Sequence, residues 1–241
     1  MSKGSVSTDL NFLAKILCQE KFCIDTSPLS KVAGELKKSK DWSYNLQKLK
    51  FIIDDIPRNT VPSEVKLLEA ILSVQIGEID HTEEQVQNTV FGAYNFSIEI
   101  SGQVNGKKVI SNWHLDFDNN SVNEYIHPEF HLTYGGNPMK NIDLGDVLLL
   151  PSPRISHPPM DAVLGIDFII RNFFKKDKCT KLLSNSQYRT AIQNSQRRLW
   201  RPYMLAVASH WCKFSCCNYN ADMSLSKRYF PTLDNSTNKN S

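Results

Sequence analysis

The dipeptide Asn105-Gly106 stands between two runs of alternating polarity, and no other stretch constrains the fold as strongly. Asn-Gly favours a two-residue turn with positive φ at both central positions, the turn that joins antiparallel strands. Before it, Phe96, Ile98 and Ile100 alternate with Ser97, Glu99 and Ser101. After it, Val109, Trp113, Leu115 and Phe117 fall on one face and Asn112, His114 and Asp116 on the other. A two-residue turn pairs Ile98 with Trp113 and Ser97 with His114. The apolar faces then agree, and His114 is carried onto the polar face.

A third run repeats the alternation. Ile126, Phe130, Leu132 and Tyr134 take the apolar side; His127, Glu129, His131 and Thr133 take the polar one. The turn before it is longer; centred on Asn120-Ser121, it places His127 opposite His114. A nearly all-apolar stretch, 146–150, suits a covered fourth strand. These runs predict an antiparallel β-meander over 93–156 with one greasy and one His-bearing face.

The flanks read as helices. Over 1–92 the period is 3.6: Leu10, Phe12, Leu13, Ile16 and Leu17 follow a capping run at Ser7-Thr8-Asp9, and Pro62 opens an amphipathic helix over 63–72. Over 157–218 a helix at 159–174 is apolar enough to cover the sheet. Another runs from 186 to 200, and Pro202 predicts a break before a last helix to about 213. Residues 219–241 form a polar tail, disordered over 232–241. The fold class expected is α+β, with the meander packed against N-terminal and C-terminal helices.

With 41% hydrophobic and 10% aromatic residues, the chain fits a globular protein. The run 147–150 is too short for a membrane span and ends at Pro151. The first residues lack the basic-then-apolar order of a secretory signal. A cytoplasmic location is therefore expected, with the cysteines at 18, 23, 179, 212, 216 and 217 as reduced thiols. There is no phosphate-loop, dinucleotide or metalloprotease motif, so no cofactor is expected.

The polar face of the meander is the candidate for chemistry. His114, His127 and His131 sit there with Asp116. Two histidines that titrate near neutrality can divide general-base and general-acid work, with a carboxylate such as Asp116 or Glu99 orienting one ring. In RNA cleavage one would take the 2′-hydroxyl proton and the other would protonate the leaving 5′-oxygen, with Arg154 as phosphate clamp. The same residues are nitrogen and oxygen ligands suited to zinc or manganese. Strand rise, however, separates His127 from His131 by about 13 Å unless Pro128 bends the chain. Exposed strand histidines without a role are a third reading. The neighbouring Gly135-Gly136 admits close backbone approach to a phosphate, or a plain turn. His210, Cys212, Cys216 and Cys217 have the spacing of half a zinc site, or of buried thiols.

Charge is uneven. From Arg171 to Lys213 there are ten basic residues and one acid, a net of +9 against −6 for the remainder. Arg189, Arg197, Arg198 and Arg201, interleaved with Trp200, have the character of a grip on phosphates and unpaired bases. The alternatives are a solvated helical face and docking of an acidic protein partner through 171–213.

The outline of residues 94–175 is similar to small prokaryotic toxins of the TumE-like class. It comprises the Asn-Gly hairpin, His114-Leu115-Asp116, His127-Pro-Glu-Phe-His131, Gly135-Gly136 and a closing helix from Asp161 to Phe174. That resemblance implies RNA-directed or defence-related work and carries no assignment of individual catalytic residues. The expectation is a nucleic-acid-acting protein, most concretely a metal-independent RNA-cleaving enzyme. A non-enzymatic binding component and a metal-dependent hydrolase are the alternatives.

Overall fold

A computed structural model of the chain describes residues 3–39, 43–58, 60–79, 91–117, 130–142 and 155–211. The elements are α1 (Lys3–Gln19), α2 (Ser27–Lys38), β1 (Tyr44–Ile53), β2 (Leu68–Ile79), β3 (Phe91–Val104), β4 (Lys107–Phe117), β5 (Phe130–Tyr134), β6 (Ile155–Ser156), α3 (Ala162–Phe173), α4 (Lys176–Ser184) and α5 (Ser186–Trp211). The six strands form one antiparallel sheet in sequential order, β1 to β6. Helices lie at both ends of the chain, so the protein is α+β.

The hairpin expected at Asn105-Gly106 is present. Both residues have positive φ, 49° and 77°, and the register pairs Ser97 with His114 and Ile98 with Trp113. The buried apolar face carries Phe96, Ile98 and Leu115, with Leu72 and Val74 of β2 and Phe51 of β1. Helix α3 covers it. Gly165 brings the helix so close that a Cβ there would stand 2.7 Å from Phe96 and 2.9 Å from Leu72. While Arg171 and Asn172 near its end are exposed, its first turns are buried and need apolar residues. Ala162, Val163, Leu164, Ile166, Ile169 and Ile170 supply them, and Asp161 caps its N-terminus by accepting from the Leu164 amide.

The helical reading of 1–92 holds for α1 and α2 alone; the meander begins at residue 44, where β1 starts, rather than near 93. In β1 a bulge lies between Leu46 and Leu49, with Lys48 at φ 57°. Both leucines stay buried while standing three residues apart, a spacing that imitates a helix. The helix expected over 63–72 is corrected to a loop followed by β2. Leu, Glu and Ala favour helix locally, but Leu68, Ala70, Leu72, Val74 and Ile76 alternate cleanly and are locked between β1 and β3.

Three boundaries also move. Helix α1 starts at Lys3, so Ser7, Thr8 and Asp9 lie inside it rather than capping it. The Ser7 hydroxyl donates to the Ala33 carbonyl, tying α1 to α2. Helix α3 begins at Ala162, behind the Asp161 cap, instead of at Pro159. Helix α5 runs unbroken through Pro202, where a break was expected. The strand expected at 146–150, and the tail beyond 218, lie outside the described residues.

Candidate functional site

The polar face of the sheet forms as its alternation requires. His114 and Asp116 project from the same side of β4. The next strand brings Thr133 directly across from His114 and His131 directly across from Asp116. His114, Asp116 and His131 therefore share one face. Thr133, not His127, stands opposite His114. His127 and Arg154 lie outside the described residues.

Two carboxylates were candidates to orient His114, and the geometry separates them. Asp116 Oδ2 lies 3.1 Å from His114 Nε2, within reach of a hydrogen bond when that nitrogen carries a proton. Glu99 is instead taken by Lys108, at 2.7 Å. Both members of the His114–Asp116 dyad are partly exposed, whereas His131 is only 2% exposed.

Gly135 and Gly136 wrap the end of β5 onto this face. The Gly135 amide donates to the Asn112 carbonyl at 2.8 Å, and the Asn112 side-chain amide donates back to the Gly135 carbonyl at 2.6 Å. Gly136, at φ 83° and ψ −167°, lies against the imidazole. A Cβ there would stand 2.9 Å from His114 Cε1 and 3.3 Å from Nδ1. The missing side chain is what lets the backbone come this close to that edge of the ring.

The basic helices look different once folded. Lys175 pairs with Asp55, Lys178 with Asp54, Lys181 with Glu20 and Arg171 with Asp167. Arg198 is a correction to the expected polyanion grip. It is 6% exposed and bound to Asp161 at 3.0 Å, with Asp9 at 3.7 Å, so it is unavailable to a partner. The Trp200 ring is partly buried and its indole N–H donates to the Pro159 carbonyl. Arg189, Arg197 and Arg201 remain exposed along α5. Much of the excess positive charge in 171–213 is thus balanced by the acidic body of the same chain, which lowers its reach toward polyanions.

The buried cluster of Asp9, Asp161 and Arg198 was not anticipated from sequence. An acid just before an apolar helix was its one visible sign, as an N-cap. The cluster joins α1, the start of α3 and α5. Burial raises the Asp9 pKa above its ordinary value, with Arg198 and Asn194 opposing the rise. Burial, followed by the Asp161 charge, pushes Tyr44 well up; its hydroxyl accepts from the Ala162 amide.

Among the described residues no three His, Cys, Asp or Glu side chains are placed to hold one metal ion, and Cys18, Cys23 and Cys179 are free thiols. Cys212, Cys216 and Cys217 lie outside those residues. No described helix is long and apolar enough to cross a membrane. Compared with models of known families, with curated proteins and with solved structures, the chain returns no match.

Proposed function

We propose that this protein acts on nucleic acid as a metal-independent RNA-cleaving enzyme of prokaryotic toxin or defence type, working in the cytoplasm. The observation that carries the reading is the contact between His114 Nε2 and Asp116 Oδ2. A carboxylate holding one ring nitrogen sets the tautomer and aims the other nitrogen, which is the division of labour a general base needs. His114 takes the 2′-hydroxyl proton in this reading, and Asp116 positions it. His131, across from Asp116, supports the dyad from the neighbouring strand, and its burial argues for a positioning rather than a proton-delivering role. The second acid-base group and the phosphate clamp are then sought in His127 and Arg154. Arg189, Arg197 and Arg201 supply the grip on the strand backbone.

The test is RNA cleavage by the purified chain in EDTA. His114→Ala is expected to lower the rate by about a hundredfold or more, and Asp116→Asn by a smaller factor. Unimpaired cleavage by His114→Ala removes this reading.

Arg189, Arg197 and Arg201, exposed and in no ion pair among the described residues, favour a second reading, a non-enzymatic component that docks RNA or an acidic protein on α5. RNA binding that weakens steeply with salt, without turnover, selects it over the first.

A further inference from the structure

Helices α1 and α5 line a cavity of about 360 Å³ that shares no residue with the His114 face. Its size falls at the small end of the range for ligand sites. Thr8, Phe12, Gln187, Thr190 and Asn194 surround Asp9 there, whose side chain is only 10% exposed. That carboxylate is poorly partnered. Asn194 Nδ2 stands 3.4 Å from both of its oxygens, and Arg198 Nη1 is 3.7 Å from Oδ2. Hydrogen bonds from charged donors to a carboxylate run at about 2.7–2.9 Å. Arg198 is instead drawn to Asp161, at 3.0 Å, and its Nη1 finds no hydrogen-bond partner among the described residues. Two carboxylates thus share one guanidinium, and the burial that raises the Asp9 pKa outweighs what Arg198 and Asn194 return. A buried carboxylate left under-compensated beside a cavity calls for a cation.

The rest of the lining narrows the class of ligand. The Thr8 hydroxyl donates its proton to the Gly4 carbonyl at 2.8 Å, and the Thr190 hydroxyl to the Ser186 carbonyl at 2.9 Å. Both oxygens can then only accept. Phe12 adds an aromatic wall, which attracts cations. No Lys or Arg is among the described residues that line the cavity, so a carboxylate or phosphate would meet the Asp9 charge with no cationic side chain to offset it. A bare metal ion is disfavoured too, because no three His, Cys, Asp or Glu side chains converge among the described residues. We propose that this cavity binds a small organic cation through a primary ammonium group, whose N–H donors meet the Asp9 carboxylate while its alkyl part lies against Phe12. The ammonium carries three donors, and the Thr8 and Thr190 oxygens accept from any that Asp9 leaves over.

The experiment follows the Thr8 and Thr190 methyl resonances of the full chain by NMR as n-butylamine is added at neutral pH, where the amine is charged. 1-Butanol and butyrate serve as neutral and anionic probes of the same length. Saturable shifts are expected with the amine and none with the other two over the same concentrations. Asp9→Asn, which keeps the shape and removes the charge, is expected to weaken amine binding by roughly tenfold or more, the reach of a charge-assisted hydrogen bond. Thr190→Phe changes an exposed residue and leaves Asp9 with its partners, so it tests the site even where Asp9→Asn fails to fold. It is expected to abolish binding, read at Thr8, by filling the cavity. No saturable shift with the amine, equal shifts with 1-butanol or butyrate, or undiminished amine affinity in either folded variant overturns the proposal.

Discussion

Arg198 reaches across the helical layer to Asp161, 3.0 Å away, and both side chains are almost entirely withdrawn from solvent. Asp161 also caps α3, so one carboxylate holds the start of the helix that covers the sheet and the middle of α5. Asp9 of α1 completes the cluster. An arginine that sequence places among surface cations is therefore an internal strut.

Removing one partner of a buried ion pair leaves the other uncompensated. Arg198→Ala and Asp161→Ala are each expected to lower unfolding stability by ~3–5 kcal/mol. Arg197→Ala, one residue away and exposed, is expected to change it by less than about 0.5 kcal/mol. Urea denaturation of the three variants measures the contrast. Equal effects at 197 and 198 would contradict the strut.

Gly136 is fixed by two constraints at once. Its φ of 83° disfavours any residue with a Cβ, and that Cβ would meet His114 at 2.9 Å. Gly136→Ala is expected to destabilise the fold by roughly 1–3 kcal/mol. It is also expected to displace the imidazole, read as a shifted His114 ring resonance in NMR. A variant with wild-type stability and an unmoved His114 signal would show that the approach is looser than described.

Pro202 sits inside α5 and cannot donate to the Arg198 carbonyl four residues earlier. Pro202→Ala restores that donor and removes the ring's clash with the preceding turn. The expected result is a gain of about 1–3 kcal/mol and more helical circular dichroism. A loss of stability would mean that the proline ring itself contributes to the packing of α5.

His157 adds a pH dependence. Burial lowers its pKa below the ordinary 6.5, although the hydrogen bond between Nδ1 and the Pro158 carbonyl opposes the shift. A histidine with a depressed folded pKa binds its proton more readily when unfolded. Its contribution to stability is therefore complete above pH 6.5 and is lost as pH falls from there through the lower folded value. Thermal melts of wild type and His157→Leu across that interval are expected to converge as the pH drops. Parallel curves would exclude His157 as the source.

The central hairpin was legible because Asn105-Gly106 dictates its own turn and a period of two assigns every side chain to a face. The same rule placed His114, Asp116 and His131 together before any coordinates. The first two strands were not legible in this way. In β1 the bulge at Gln47-Lys48 broke the alternation and left Leu46 and Leu49 at helical spacing. In β2, Leu, Glu and Ala spoke for helix, and only pairing on both sides overrules that preference.

Local sequence, by its alternation and turn chemistry, determined that this chain has a meander with a histidine-bearing polar face. Which carboxylate serves His114, which arginine is sealed inside and which cations are neutralised were decided by tertiary structure alone. Faces follow from the periodicity of neighbouring residues, whereas burial and ion pairing arise between segments far apart in the chain, and no local pattern records those meetings.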